Sequence, residues 1–205
     1  MRKYITEFIG TMFLVLAVGL SVGNPFAALA IGSTLMIMIY AGGHISGAHY
    51  NPAVTAAVFV RKRIGLSDAL IYMGCQLAGA VIAALIINFF VPIPDTATLQ
   101  ELNITKALLA ELLGTFALAY VVLNVATARA NSNNSFYGLA IGFTVFAMAV
   151  CFGRYSGGAF NPAVAIGTSF MKIFAWKNIW IYIIACFGGG TLAGLVFNMN
   201  NPDDK

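Results

Sequence analysis

Charged side chains are scarce in this chain, with 11 lysines and arginines and 7 aspartates and glutamates among 205 residues. Soluble domains carry roughly 25% charged residues, whereas here 9% are charged and 60% are hydrophobic. This scarcity excludes an ordinary soluble domain and predicts a protein of the lipid bilayer. The net charge of +4 does not indicate a nucleic-acid partner, because the basic residues flank apolar stretches, where they orient membrane spans.

Groups for covalent or metal chemistry are also few. The three cysteines lie in apolar surroundings and indicate no disulfide framework. The sequence shows no activated nucleophile, no phosphate-binding glycine loop and no cluster of metal ligands. It therefore predicts no enzyme, no cofactor and no metal site.

Long apolar stretches dominate instead, and six of them could cross a bilayer, which takes about 20 helical residues. We place them at about 4–23, 26–43, 67–90, 106–127, 136–153 and 178–197. Two shorter apolar segments, at about 52–60 and 162–171, are too short to cross alone. The first stretch lacks the cleavage site of a secretory signal, so it is predicted to be a span.

The chain repeats itself, with matching residues offset by 110 between the two Asn-Pro-Ala tripeptides and by 104 between the first spans. One domain, residues 1–205, is predicted, built from repeats at about 1–91 and 104–200. Each repeat has three spans, so the second enters the membrane from the opposite side. Such inverted repeats are typical of transport proteins.

The basic residues divide unevenly between the two predicted sides. Seven fall on the side of both termini, namely Arg2, Lys3, Arg61, Lys62, Arg63, Arg129 and Lys205. Four fall on the other side, namely Lys106, Arg154, Lys172 and Lys177. Because basic loops favour the cytoplasm, we predict a multi-pass protein of the plasma membrane, or of the inner membrane in a bacterium, with both termini cytoplasmic.

The tripeptide Asn-Pro-Ala occurs at Asn51-Pro52-Ala53 and again at Asn161-Pro162-Ala163. The runs GHISGAHYNPAV (43–54) and GRYSGGAFNPAV (153–164) that contain them are identical at seven of twelve positions. Polar, glycine-rich segments inside apolar sequence are costly unless they line a water-filled cavity. Two inverted copies therefore favour a pore over a re-entrant turn without one.

Each tripeptide is predicted to begin a short helix, since Asn is a good N-cap and Pro suits the first helical position. The two half-helices would meet near the midplane with their positive ends facing, which opposes cations and protons but not neutral molecules. The preceding segments are predicted to be extended, with a ladder of acceptor carbonyls at Gly47, Ala48, His49, Gly157 and Ala159. The His49 side chain is expected to bond within its loop or to edge the pore.

Glu7 and Glu111 occupy equivalent positions within the first span of each repeat. Intramembrane carboxylates usually face the interior and have a partner. We predict that each holds a re-entrant loop by accepting its backbone N–H groups. A proton relay in a coupled transporter is the alternative, which the lack of further ionisable groups disfavours.

These motifs resemble those of the aquaporin, or major intrinsic protein, family. The resemblance spans nearly the whole chain and rests on TEFIGT with Glu7, AELLGT with Glu111, Tyr72 and Gln76, and both Asn-Pro-Ala runs. It implies an all-α hourglass fold of six transmembrane helices and two re-entrant half-helices. It also implies a homotetramer with one pore in each subunit.

One position departs from the family pattern. Most members have an arginine directly after the second Asn-Pro-Ala, where this chain has Val164. The resemblance places the rest of the outer selectivity filter at Ile31, Ala149 and Gly158. This filter has no charge and no aromatic ring, so it is predicted to be wider and less polar than a water-selective one. Arg154 could supply a cation at the outer mouth, or simply reach lipid headgroups or cap a carbonyl. The mouth could also be narrowed by an aromatic ring, that of Phe152, Tyr155 or Phe160.

The leading prediction is thus a passive channel for water and small neutral solutes such as glycerol, urea or ammonia. The alternatives are a closed or structural membrane protein of the same fold and an ion-coupled secondary transporter.

Overall fold

A computed structural model describes residues 1–91 and 101–204 of the chain. Its helices are α1 Arg2–Ser21, α2 Ala27–Ser46, α3 Pro52–Val60, α4 Leu66–Phe90, α5 Ile104–Val122, α6 Tyr137–Ser156, α7 Pro162–Phe170 and α8 Ile179–Asn200. Within these described residues, six helical segments are long and apolar enough to cross a membrane. The predicted six spans and two short helices are therefore confirmed. Residues 92–100, between the third and fourth predicted spans, and Lys205 lie outside the described residues.

Helices α2 and α6 extend three residues beyond the predicted ends, into the glycine-rich runs. They end at Gly47 and Gly157, whose φ angles of 85° and 90° lie in the left-handed region. The N–H of each glycine donates to the carbonyl four residues earlier, Gly43 O and Gly153 O. Glycine adopts this conformation at little cost and commonly ends a helix, so the runs supply their own helix stops.

The half-helices lie inside the bundle and meet at their N-terminal ends. Helix α3 of the first repeat packs against α8 of the second, and α7 of the second repeat packs against α4 of the first. Both half-helices are mostly buried. Each short helix is thus enclosed by full-length helices from both repeats, which holds its N-terminus at the centre of the molecule.

Helices α2 and α6 cross where two glycines face each other. A Cβ added to Gly142 would lie 2.5 Å from the Gly32 carbonyl oxygen, and a Cβ added to Gly32 would lie 2.6 Å from the Gly142 oxygen. Neither backbone can give way locally, so the crossing depends on both glycines.

We therefore expect Gly142→Ala to lower the free energy of unfolding by about 1–3 kcal/mol, the usual effect of overpacking. Thermal unfolding of the detergent-solubilised protein measures it. Gly74→Ala in α4 is the matched control, since its Cβ would meet nothing within 4 Å and alanine favours a helix over glycine by up to about 1 kcal/mol. Equal melting temperatures in the two variants would contradict the close packing.

Candidate functional site: a pore between the half-helices

Both asparagines cap their half-helices. The Asn51 Oδ1 atom accepts from the backbone N–H groups of Ala53 at 2.8 Å and Val54 at 3.4 Å. The Asn161 Oδ1 atom makes the equivalent bonds at 2.9 and 3.4 Å. The capping oxygen thus faces the helix, which turns the amide nitrogen of each side chain towards the opposite repeat.

The amide nitrogens join the two repeats. Asn51 Nδ2 donates to the Phe160 carbonyl at 2.8 Å, and Asn161 Nδ2 donates to the Tyr50 carbonyl at 2.9 Å. An amide NH2 group has two hydrogens, so each asparagine keeps a second donor. Helix N-termini carry partial positive charge, and here two of them meet beside those donors.

Glu7 holds the first arm, defined as residues 47–50, and it is fully buried. Its two carboxylate oxygens accept four hydrogen bonds: from Ser46 Oγ at 2.7 Å, His49 N at 3.0 Å, Tyr50 N at 2.7 Å and Gln76 Nε2 at 2.8 Å. A buried carboxylate is tolerated when such donors surround it. Glu7 therefore fixes the backbone immediately before Asn51.

Glu111 holds the second arm, residues 157–160, in the same way. It is also fully buried, and it accepts from Ser156 Oγ at 2.6 Å, Ala159 N at 2.9 Å, Phe160 N at 2.7 Å and Cys186 Sγ at 3.5 Å. Cys186 thus takes the place that Gln76 has in the first repeat. Each glutamate is thus engaged by three donors of its own loop region and by one side chain of a neighbouring helix, Gln76 of α4 or Cys186 of α8.

The prediction of extended arms was wrong. Ala48 and Tyr50 have φ angles of 50° and 49°, and Gly158 and Phe160 have 68° and 47°. These left-handed conformations are costly for residues other than glycine. They persist because Glu7 and Glu111 accept from the N–H groups of Tyr50 and Phe160, and because the aromatic rings are anchored. The N–H groups of Ala48 and Gly158 donate instead to the hydroxyls of Ser46 and Ser156.

The rings of Tyr50 and Phe160 fill spaces that only glycine leaves open. A Cβ at Gly10 would lie 2.1 Å from the Tyr50 ring, and one at Gly114 would lie 2.2 Å from the Phe160 ring. Both rings are buried. Neither pair was predicted from the sequence, although an aromatic residue precedes each asparagine and a glycine stands three residues after each glutamate.

A central cavity of about 220 Å³ runs past both asparagines. The four positions assigned to the outer filter, Ile31, Ala149, Gly158 and Val164, all lie on its wall. The wall as a whole is mainly aliphatic, and much of it consists of repeat-related pairs: Leu14 and Leu118, Val18 and Val122, Ile31 and Ile141, Leu35 and Val145, and Val54 and Val164. Among the described residues, no lysine, arginine, aspartate or glutamate lines this cavity.

The remaining predicted residues divide among three cavities. Ala48, His49, Gly157 and Ala159 line the central one, whereas Gly47 lines a cavity of about 350 Å³ on the side of the termini. Arg154 lines a cavity of about 180 Å³ at the opposite end. Its guanidinium donates to the Tyr155 hydroxyl and lies 4.7 Å from that ring centroid, which keeps the charge off the central wall.

His49 lies at the boundary between the central cavity and the cavity on the side of the termini. Its Nδ1 is 3.1 Å from Thr55 Oγ1. That hydroxyl donates to Asn51 O and accepts from Gln76 Nε2, both at 3.0 Å, so we assign the proton to His49 Nδ1. The Nε2 atom is then an acceptor.

Comparison with known proteins identifies the architecture. The sequence profile of the major intrinsic protein family matches residues 1–197. The chain is 36% identical to "Glycerol uptake facilitator protein-like 6" of Lactiplantibacillus plantarum over the whole of both chains. It is 33% identical to "Probable aquaporin NIP4-2" of Arabidopsis thaliana, covering all of this chain and 76% of the relative.

A solved structure agrees with the sequence comparisons. The aquaglyceroporin from Plasmodium falciparum superposes with a TM-score of 0.80 at 21% identity, covering 96% of this chain and 95% of that one. At that identity the likeness concerns the fold. Members of the major intrinsic protein family are passive multi-pass membrane channels for water and small solutes, and they are not enzymes. The profile match, the six apolar helices and this shared fold show that the chain belongs to that family.

Proposed function

We propose that this chain conducts water and small neutral solutes, glycerol among them, and excludes ions and protons at the paired asparagines. The observation that carries the proposal is the central cavity, which passes Asn51 and Asn161 and has Ile31, Ala149, Gly158 and Val164 on its wall. Without an arginine at position 164, these four positions bring no charge and no aromatic ring to that part of the wall.

The wall suits an amphipathic solute. Aliphatic side chains such as Ile31 and Val164 can contact the carbon atoms of a polyol. The arms and the asparagine amides supply hydrogen-bonding groups for its hydroxyl groups. Urea and ammonia meet the same requirements of small size and neutrality.

Charge exclusion follows from the two half-helix N-termini. A cation that enters the cavity loses hydration, meets the positive ends of α3 and α7, and encounters no carboxylate on the described wall. Glu7 and Glu111 are already engaged by loop donors, which disfavours ion-coupled transport.

Stopped-flow light scattering on proteoliposomes tests the proposal. An impermeant osmolyte should cause shrinkage much faster than in protein-free vesicles, and a glycerol gradient should cause shrinkage followed by fast re-swelling. Shrinkage without re-swelling would leave a water-selective pore. No protein-dependent permeability to any neutral solute would favour a closed structural protein, and solute flux that follows an ion gradient would favour a transporter.

Assembly and location complete the proposal. We propose a homotetramer with one pore per subunit in the plasma membrane, or the inner membrane of a bacterium, with the termini in the cytoplasm. The excess of basic residues on the side of the termini supports this orientation. The mass of the solubilised complex and the accessibility of a terminal tag in intact cells test the two parts.

A further inference from the structure

A buried arginine lies at the end of the first half-helix. The Arg61 side chain is 1% exposed, its guanidinium lies 4.5 Å from the Phe197 ring centroid, and its Nη2 donates to Asp204 Oδ1 at 2.8 Å. The Nε atom is buried and has no hydrogen-bond partner. Nε and Nη2 share the edge of the guanidinium that binds anions through two parallel bonds, and Asp204 engages only one of them.

Two further arginines converge on the same carboxylate. Arg63 Nη2 lies 3.2 Å from Asp204 Oδ1, and the Arg129 backbone N–H donates to Oδ2 at 2.8 Å while its Nε lies 3.5 Å from Oδ1. The Arg129 N–H, followed by Arg61 and Arg63, lowers the pKa of Asp204 below its ordinary value. The carboxylate is therefore ionised at neutral pH, and it is shared by Arg61, Arg63 and Arg129.

The second repeat shows that the loop folds without these arginines. The equivalents of Arg61 and Arg63 are Met171 and Ile173, and Met171 is as buried as Arg61. Lys62 and its equivalent Lys172 share a left-handed backbone, with φ angles of 64° and 57°. Since an aliphatic residue satisfies the same position, burying a cation there is not a requirement of the fold.

A groove adjoins the arginine cluster on the side of the termini. It is open, has a volume of about 510 Å³ and is lined by Phe59, Val60, Lys62, Arg63, Ile64 and Gly65. Its apolar part includes the Phe59 ring, which is 41% exposed. Basic clusters beside membrane helices attract anionic lipids, and here an apolar surface for an acyl chain lies next to the cations.

We propose that this groove binds an anionic phospholipid, whose phosphate contacts Lys62 and Arg63 and competes with Asp204 for the arginine cluster. Arg63 belongs to both the groove and the cluster, so it can transfer from the carboxylate to the phosphate. Without lipid, the Asp204 carboxylate occupies the anion site formed by the arginines. A phosphate has more oxygen atoms to accept hydrogen bonds, whereas Arg61 now contacts a single carboxylate oxygen.

Thermal unfolding of the detergent-solubilised protein, titrated with dioctanoyl phosphatidylglycerol, tests the proposal. The lipid should raise the melting temperature because it binds the folded state, and dioctanoyl phosphatidylcholine should raise it much less. Each basic residue near an anionic lipid changes the affinity about fivefold, so Lys62→Gln/Arg63→Gln should weaken it about thirtyfold. Asp204→Asn should strengthen it by removing the competitor.

Lys172→Gln is the matched control, because it removes one cation from the same loop position of the other repeat. It should leave the lipid affinity unchanged. An unchanged affinity in Lys62→Gln/Arg63→Gln, an equal response to phosphatidylcholine, or an equal loss in Lys172→Gln would overturn the site. Equal stabilisation by inorganic phosphate alone would replace the lipid with a soluble anion and overturn the assignment to a lipid. None of these outcomes depends on which solute the pore conducts.

Discussion

Replacing Glu111 with alanine is expected to abolish conduction and to lower the melting temperature strongly. The change leaves the Ser156 hydroxyl and the N–H groups of Ala159 and Phe160 without their acceptor. Each buried donor left unpaired costs about 1–3 kcal/mol, so the sum approaches the whole stability of an ordinary domain, about 5–15 kcal/mol. Folded yield, thermal unfolding and proteoliposome permeability measure the effect.

Two further variants separate the roles of charge and hydrogen bonding. Glu111→Gln keeps one acceptor oxygen and nearly the same shape, so it should fall between wild type and Glu111→Ala. Glu7→Ala removes the equivalent support of the first arm and should be about as severe as Glu111→Ala. A Glu111→Ala protein that melts and conducts like wild type would show that the second arm keeps its conformation without the carboxylate.

Val164→Arg is expected to suppress glycerol permeability about five- to hundredfold while water permeability persists. The valine is 4% exposed and lies on the cavity wall with Ile31, Ala149 and Gly158. A longer, charged side chain fills part of the space that a glycerol molecule needs. If this crowding raises the barrier to glycerol by about 1–3 kcal/mol, the glycerol rate falls by a factor of that order. Glycerol re-swelling and osmotic shrinkage of the same vesicles give the two rates.

Val164→Leu provides the uncharged comparison, since it adds only one methylene group. It should reduce glycerol flux by less than Val164→Arg and leave water flux intact. If Val164→Arg conducted glycerol like wild type while remaining folded, the narrowest part of the path would lie away from position 164.

The elements of the fold were predictable because their determinants are local. Apolar length identified the spans, and the sequence Asn-Pro at each half-helix carries its own cap. The ends of α2 and α6 were missed by three residues because a glycine in these runs could continue the helix or end it, and Gly47 and Gly157 end it.

The conformation of the arms was not predictable from local pattern. Tyr50 and Phe160 have positive φ angles because distant carboxylates bind their N–H groups and distant glycines leave space for their rings. Spacing does bring the four assigned filter positions to one cavity wall. It could not show that Arg154 turns to Tyr155, because a side-chain direction depends on neighbours in space.

The reciprocal bonds between the asparagines and the opposite arms have a consequence for biogenesis. The Asn51 amide needs the carbonyl of Phe160, 109 residues later, and Asn161 in turn needs that of Tyr50. During synthesis the first three spans enter the bilayer before Phe160 and Asn161 have been made. The polar loop of the first repeat is therefore in the membrane at a stage when its hydrogen bonds are incomplete. Contact between this loop and lipid is therefore most costly while only the first repeat has been inserted. Folding is complete only after the second tripeptide has entered the membrane and formed these bonds.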